Sequence, residues 1–211
     1  RSVLYMPGSN ARALEKAKEI PADALILDME DAVAPDAKEE ARTQVTDAVK
    51  GGGYGKREIA IRVNGLDTPW GKDDIKAAVA AGPDAILVPK INSAADVERA
   101  EEALSDAGAR AGLQLWCMIE TPLATLNIQS IAQKAREPGS RMSVWVMGTN
   151  DIAKELRADH ARPGGRAAEG TYLAACLEGA PRRPRRSVDR ALTSGNRPWS
   201  ASSFGPSRRK S

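Results

Sequence analysis

The chain has 211 residues, of which 42% are hydrophobic and 28% are charged, and its net charge is +3. This length and composition fit a single globular domain that can bury a core. No apolar run approaches the ~20 residues that span a bilayer, and the start at Arg1 lacks the pattern of a signal peptide, so we expect a cytoplasmic protein without a membrane segment.

The small net charge conceals an uneven distribution along the chain. Residues 161–211 contain 11 Lys and Arg against 3 acidic residues, whereas residues 1–160 contain 20 against 25. The basic segment has no regular aromatic interleaving and no recognised nucleic-acid motif, so we do not expect a nucleic-acid partner. Cys117 and Cys176 have no CxxC spacing and no cluster of His partners, which argues against a zinc site and a disulfide scaffold.

One pattern repeats six times before residue 160, in which a short apolar or β-branched run is followed by an amphipathic, Ala-rich stretch. Such runs predict β-strands, and the longer stretches predict helices. The predicted strands are 3–6, 24–27, 58–63, 85–88, 113–119 and 143–147. The predicted helices are 11–19, 36–50, 71–80, 94–107, 122–135 and 150–157.

Regular alternation of strand and helix predicts a parallel sheet, which is either a closed barrel or an open doubly wound sheet. A barrel collects functional groups from nearly every strand around one mouth, and here a polar or charged residue follows nearly every predicted strand. The sequence contains no GxGxxG or Walker loop that would indicate a nucleotide-binding sheet. We therefore predict an α/β fold, a (β/α)8 TIM barrel truncated after about six βα units.

Two carboxylates follow adjacent predicted strands. Glu120 ends the apolar run before Thr121 and Pro122, and Asp151 follows the next strand. Carboxylates that converge from neighbouring strands form a hard-oxygen site suited to Mg2+ with open positions for substrate oxygens. The alternative for each is a helix cap or a first-turn acid favoured by the helix dipole.

Arg62 lies within an apolar strand, where a buried guanidinium requires an anion nearby. Its planar fork suits a carboxylate or an enolate oxygen. The alternative is a buried ion pair with Asp28 or Glu30, which would be compatible with a role in catalysis.

Basic residues in two further regions are candidates for binding a phosphate-bearing ligand. Arg12 and Lys16 lie on the first predicted helix, which Ser9 or Asn10 can cap, and the free N–H groups of that helix favour an anion. A solvated basic helix face is the alternative explanation. Lys90 follows the fourth strand, where a Schiff base is conceivable, although a lone Lys does not establish it.

Taken together, six segments of the sequence resemble the HpcH/HpaI aldolase and citrate lyase β-subunit superfamily, and within it the branch of malyl-CoA lyase and related CoA-ester lyases. They occur in the family's order over residues 2–162. The segments are Leu4-Tyr-Met-Pro-Gly-Ser-Asn10, Leu25-Ile-Leu-Asp-Met-Glu-Asp-Ala-Val33, Ile61-Arg-Val-Asn64, Val88-Pro-Lys90, Met118-Ile-Glu-Thr121 and Gly148-Thr-Asn-Asp-Ile152.

The resemblance implies roles for individual residues. Glu120 and Asp151 match the family's metal ligands, and Arg62 matches the arginine that stabilises the thioester enolate. Arg12, Lys16 and Lys90 fall in regions that approach coenzyme A. The remaining matches form an acidic cluster expected around the metal and its waters, namely Asp28, Glu30 and Asp31.

The resemblance also implies an activity. The expected reaction is a Mg2+-dependent cleavage or formation of a carbon–carbon bond in a 2-hydroxyacyl-CoA such as malyl-CoA, methylmalyl-CoA or citryl-CoA. Acyl-CoA and a small oxoacid are the expected substrates, and a homo-oligomer, trimer or hexamer, is expected if the protein is intact. In malyl-CoA lyase relatives the base is an Asp from the carboxyl-terminal lid of a neighbouring subunit, and no such residue is recognisable here.

The sequence departs from the family after about Gly165. We assign residues 1–165 to the partial barrel and residues 166–211 to an Arg/Pro/Ser-rich tail. We interpret this tail as frameshifted translation, and a disordered segment or a natural short variant are the alternatives. Several functions stay open at this point: a malyl-CoA thioesterase, a class II pyruvate aldolase without CoA, or a noncatalytic fragment. His160 lies in a polar stretch and is expected at the surface, which argues against a multi-His metal site.

Overall fold

The computed structural model describes residues 2–157 and the backbone of residues 192–193. Its strands form one parallel sheet in chain order, so each strand pairs with the next strand along the chain. The strands are β1 Val3–Pro7, β2 Ala24–Asp28, β3 Glu58–Arg62, β4 Ala85–Val88, β5 Gln114–Ile119 and β6 Met142–Met147. The predicted six-strand partial barrel is confirmed, because the parallel sheet is curled as in the citrate lyase β-subunit fold.

A two-residue strand, β7 Leu192–Thr193, pairs in parallel with β6. It lies inside the segment 166–211 that the sequence assigns to a tail. That domain division stays a prediction, because the other residues after 157 lie outside the described part of the chain.

Helices connect successive strands and cover one face of the sheet, where neighbouring helices pack against one another. Tyr54, Trp145 and many aliphatic side chains form the core between sheet and helices. None of the described helices combines the length and the apolar character of a membrane span. The helices are α1 Ala11–Lys16, α2 Lys38–Gly51, α3 Gly71–Ala81, α4 Ala94–Asp106, α5 Pro122–Leu126, α6 Ile128–Lys134 and α7 Thr149–Glu155.

The other face of the sheet is concave and has its own smaller apolar cluster. Side chains alternate between the two faces of a strand, so Ile26, Ala60, Trp116 and Val146 share this inner face. Tyr5 packs against the same cluster and is paired in register with Ile26. Arg62 is two residues beyond Ala60 on β3 and therefore points into the same concave space.

Three of the predicted helices differ clearly from the observed ones. The first is predicted to extend to residue 19 but ends at Lys16. Residues 122–135 are predicted as one helix, but the structure breaks this segment at Asn127, whose side-chain Nδ2 donates to the Asn92 carbonyl at 2.8 Å. Asp36 is predicted to be part of the second helix, but it lies in a separate 3-10 turn, Pro35–Ala37. A proline at the start of that turn fixes its backbone, and α2 begins only after it.

Candidate functional site

Glu120 and Asp151 meet at the carboxyl edge of the sheet. Glu120 directly follows β5 and is 1% exposed, and Asp151 lies in the first turn of α7 after β6. The two carboxyl groups are close enough for Asp151 to raise the pKa of Glu120. Gly148 makes room for this approach, because a Cβ at that position would lie 2.4 Å from the Glu120 Cβ atom. The predicted convergence of the two acids is therefore found in the structure.

The environment of Glu120 disfavours its negative charge. Burial is the main reason that its pKa is raised to about 8, and the negative charges of Glu30 and Asp151 act in the same direction. A hydrogen bond from the backbone N–H of Lys90 to Oε1, at 2.8 Å, works against this shift. A divalent cation between the two carboxylates would remove their repulsion, so the donor set fits Mg2+.

The described residues offer a cation few protein ligands. Among residues 2–157, no three Asp, Glu, His or Cys side chains form a complete metal-binding group. Mg2+ usually retains waters and binds proteins through one or two carboxylates together with substrate oxygens. A pair of carboxylates with open positions therefore matches what this ion requires in an active site.

Lys90 contributes to the site through its backbone, which the sequence does not predict. Its φ angle is +53°, in the left-handed region that favours glycine, and its side chain is exposed. This conformation lets the backbone N–H donate to Glu120 while the next residue, Ile91, donates to the carbonyl of Met118. A strained, non-glycine residue that orients a buried acid is typical of functional sites. A contact between its side chain and coenzyme A stays a prediction.

Arg62 forms the centre of a second charged cluster. Its Nε atom donates to Asp28 Oδ1 at 2.7 Å and its Nη2 atom donates to Asp28 Oδ2 at 2.6 Å, which is a bidentate pair. Its Nη1 atom lies 3.0 Å from Glu30 Oε2 and 3.2 Å from Asp31 Oδ2. The predicted need for a nearby anion is confirmed, and three carboxylates meet it.

Burial alone would lower the pKa of Arg62, but the hydrogen bonds and charge of Asp28 outweigh that effect and raise it. The guanidinium is therefore a permanent positive charge. Asp28 is itself held in place by the backbone N–H groups of Glu30 and Ala32, at 2.8 and 3.0 Å from its two carboxylate oxygens. The geometry of this pair is fixed from both sides.

Glu30 lies between the two clusters. It pairs with Arg62, and its negative charge also acts on Glu120. Burial is the first cause of the raised pKa of Glu30, which the charge of Arg62 partly offsets. The resemblance implies that Asp28, Glu30 and Asp31 form an acidic cluster around the metal and its waters, which stays a prediction. In the structure all three contact Arg62, and the charge of Glu30 also acts on Glu120.

Lys38 orients the loop that carries Glu30, a role that the sequence does not indicate. This buried ammonium group donates to the carbonyls of Met29 and Glu30, at 3.2 and 2.7 Å. Asn64 donates to the same Met29 carbonyl at 2.9 Å, and Asp74 accepts from Asn64. The apolar pattern of α2 could have revealed Lys38, because a lysine on the buried face of a helix requires polar partners.

Arg12 and Lys16 are exposed on α1, a short helix that Asn10 caps by accepting a hydrogen bond from the backbone N–H of Ala13 at 3.0 Å. The structure thereby selects Asn10 from the two predicted caps. It brings neither basic side chain into contact with Glu120 or Arg62. Their contact with coenzyme A stays a prediction. Cys117 is buried, and His160 and Cys176 lie outside the described residues.

The fold and the site together define a class, a partial parallel βα barrel with an acidic site at the carboxyl edge of its strands. The family model for HpcH/HpaI aldolase/citrate lyase matches residues 1–175. The chain belongs to this family, as its sequence motifs indicate.

The chain is similar in sequence to two named enzymes. It is 46% identical over 177 residues to a (3S)-malyl-CoA thioesterase of Cereibacter sphaeroides, which covers 84% of this chain and 58% of the relative. It is 36% identical over 164 residues to an L-malyl-CoA/β-methylmalyl-CoA lyase of the same species, which covers 74% and 50%. The chain thus spans about half the length of these relatives.

A solved structure supports the fold. The citrate lyase β subunit of M. tuberculosis, complexed with oxaloacetate and magnesium, superposes with a TM-score of 0.65 at 23% identity. The match covers 84% of this chain and 72% of that one. At this identity the likeness establishes the shared architecture.

Proposed function

We propose that this chain carries the metal-binding part of a Mg2+-dependent enzyme that cleaves or forms a carbon–carbon bond in a 2-hydroxyacyl-CoA of the malyl-CoA type. The observation that carries the proposal is the proximity of the Glu120 and Asp151 carboxyl groups to each other and to Glu30 of the Arg62 cluster. The presence of magnesium and an oxoacid in the related M. tuberculosis protein supports it. Cytoplasmic location and a trimeric or hexameric assembly belong to the same proposal.

Glu120 and Asp151 would hold Mg2+, which when bound supplies a Lewis acid for the hydroxyl and carboxylate oxygens of the 2-hydroxy acid. The charges of the site favour such an ion. The site contains one cation, Arg62, and five carboxylates, namely Asp28, Glu30, Asp31, Glu120 and Asp151. If all of them are ionised, the net charge is about −4, which attracts a divalent cation.

The residues of the chain divide the remaining work between them. Arg62 places a fixed positive charge beside the thioester half of the substrate, where negative charge develops as the bond breaks. Asp28 fixes the plane of the guanidinium, and Lys38 fixes the loop that brings Glu30 to it. Glu120 is buried, and the backbone N–H of Lys90 holds its Oε1 in place.

A malyl-CoA thioesterase is the second candidate, because a relative with this activity is 46% identical to the chain. The two functions differ in the bond that breaks. A lyase would release acetyl-CoA and glyoxylate from malyl-CoA, and a thioesterase would release malate and free CoA. Both would use the same metal and the same substrate.

Incubation of the full chain with malyl-CoA and Mg2+, followed by mass analysis of the products, tests the proposal. Acetyl-CoA among the products would support the lyase, and malate with free CoA would support the thioesterase. Absence of both product pairs would contradict either activity for this chain. Omitting the metal and adding a chelator is the control, since product formation without Mg2+ would contradict the metal site.

Affinity for Mg2+ is expected to rise with pH up to about 8 and to level off above it. The pKa of Glu120 is raised to about 8, so a proton competes with the metal below that value. Without metal, the stability of the protein changes in the opposite direction. It is lost as pH rises from the usual Glu range to about 8, because the unfolded state ionises freely while burial disfavours the charge in the folded state. Calorimetric titration with Mg2+ between pH 6 and 9 measures the effect. A constant affinity over this range would contradict the proposed ligand.

A further inference from the structure

Tyr5 has a buried hydroxyl that nothing in the described chain satisfies. It lies in the middle of β1 on the concave face of the sheet, and its oxygen has no hydrogen-bond partner among residues 2–157. A buried hydroxyl without a partner costs free energy, and such groups in native proteins usually have a functional or ligand-related explanation. The surroundings of Tyr5 indicate which ligand could accept its hydrogen bond.

The ring of Tyr5 lies against the charged site. The Arg62 guanidinium carbon lies 5.2 Å from the centre of the ring, which is the distance of a cation–π contact. Asp28, Glu30 and Glu120 are also close enough to act electrostatically on the hydroxyl. The unsatisfied donor therefore faces the space between the Arg62 cluster and the metal-ligand candidates.

Arg62 has little remaining capacity to donate to a substrate. Its Nε, Nη1 and Nη2 atoms all contact carboxylate oxygens, and Nη1 also lies 3.6 Å from the sulfur of Met118. A guanidinium has five N–H bonds, most of which are used in this way. Two buried donors on the concave face have no partner among the described residues, the Tyr5 hydroxyl and Trp116 Nε1, and of these two residues Tyr5 is the one whose ring contacts the guanidinium.

The hydroxyl keeps its proton under all ordinary conditions. Burial raises the pKa of Tyr5 to about 12, and the neighbouring carboxylates act in the same direction against the charge of Arg62. A neutral phenol can donate one hydrogen bond to an oxygen that gains negative charge. Because it is already desolvated and oriented, it needs no reorganisation when that charge appears.

We propose that the Tyr5 hydroxyl is a further catalytic residue, which donates a hydrogen bond to the thioester oxygen as this oxygen becomes the enolate oxygen. This inference rests on the proposed function. No bond to Tyr5 forms or breaks, and the proton stays on the phenol. Arg62 contributes charge, and Tyr5 contributes the directed donor.

The variant Tyr5→Phe tests the proposal, with Tyr54→Phe as the matched control. Tyr54 is also buried, but its hydroxyl donates to the Leu14 carbonyl at 3.3 Å and it lies before β3, at the opposite edge of the sheet. Turnover of malyl-CoA and the thermal midpoint without ligand are measured for the full chain in both variants. Phenylalanine keeps the ring in both positions, so the variants differ from the wild type only in one hydroxyl.

We expect Tyr5→Phe to lower kcat by about 10- to 100-fold with little change in KM, because the hydrogen bond strengthens only as charge develops. Its thermal midpoint should equal or exceed that of the wild type, since an unsatisfied hydroxyl has been removed. Tyr54→Phe should show the reverse pattern, with a lower midpoint and an unchanged kcat.

Two results would overturn the assignment of Tyr5 alone: a kcat within twofold of the wild type, or a loss of thermal stability as large as that of Tyr54→Phe. The second readout does not depend on substrate. If the wild-type chain forms no product from malyl-CoA, the proposed function fails, and the Tyr5 proposal fails with it. The two failures are therefore distinguishable.

Discussion

Replacing Glu120 with Gln is expected to lower the affinity for Mg2+ by at least about 100-fold, since even groups that only orient a ligand contribute 10- to 100-fold. Turnover of malyl-CoA should fall at least in proportion. Gln has nearly the same shape as Glu and its Oε1 can still accept from the Lys90 N–H. What it lacks is the negative charge that binds the cation.

The same substitution should not destabilise the protein. The pKa of Glu120 is raised to about 8, so the folded state already disfavours the ionised carboxyl. Above that pH, without metal, the neutral amide avoids an unfavourable buried charge, and Glu120→Gln should unfold at a higher temperature than the wild type. A variant that is stable but inactive is typical of residues that serve function at a cost in stability.

Glu102→Gln is the matched control, because Glu102 is exposed on α4. It removes the same charge from the chain and should change neither Mg2+ affinity nor the thermal midpoint. Calorimetric titration and thermal unfolding at pH 9 compare the three proteins. If Glu120→Gln unfolds at a lower temperature and binds Mg2+ like the wild type, Glu120 is a structural residue and not a ligand.

The sequence predicts the architecture because the barrel is built from local repeats. Each βα unit carries its own apolar run and its own turn signals, so six strands can be recognised without knowing how they pair. The convergence of Glu120 and Asp151 follows from the same regularity, since carboxyl ends of parallel strands lie at one edge of the sheet. These features required no knowledge of long-range contacts.

Features that depend on long-range contacts could not be predicted. The helical pattern continues through Asn127, but its side chain binds the Asn92 carbonyl from another loop and its backbone leaves the helix. Lys90 adopts a left-handed conformation that its residue type does not favour. In both cases a tertiary contact overrides the local preference. Such a contact joins two distant segments, so neither segment alone predicts it.

The partners of Arg62 were partly predictable. A buried arginine requires an anion, and the sequence identifies Asp28 and Glu30 as candidates. It does not reveal that both carboxylate oxygens of Asp28 accept hydrogen bonds from the guanidinium, nor that the Tyr5 ring lies against it. The alternation of side chains along β1 could have placed Tyr5 on the inner face, since every second residue faces the same side.

Replacing Arg62 with Met is expected to reduce the free energy of unfolding by about 3–5 kcal/mol, because one partner of a buried ion pair is removed and the other is left uncompensated. The Arg62 and Asp28 side chains are only 5% and 2% exposed, so water cannot replace the lost hydrogen bonds. Urea unfolding of the full chain measures the change. Activity should also be lost, because the fixed positive charge of the site disappears.

Removal of both partners distinguishes the ion pair from simple loss of packing. The double variant Arg62→Met/Asp28→Asn should be less destabilised than Arg62→Met alone, because it removes the uncompensated charge of Asp28, the most buried of the three partners. Arg99→Met is the surface control. Arg99 also contacts two carboxylates, Asp96 and Asp67, but its side chain is 55% exposed, and exposed ion pairs contribute about 0–1 kcal/mol.

The difference in free energy of unfolding between Arg62→Met and Arg99→Met therefore tests whether the Arg62 ion pairs are required for stability. A difference of several kcal/mol would establish that Arg62 and Asp28 depend on each other for burial, so that the three acids around the guanidinium are a structural requirement of the site. If Arg62→Met instead unfolds within about 1 kcal/mol of Arg99→Met, water or the other acids compensate Asp28. The guanidinium would then be free to leave its carboxylate partners, and it could donate directly to the substrate in place of Tyr5.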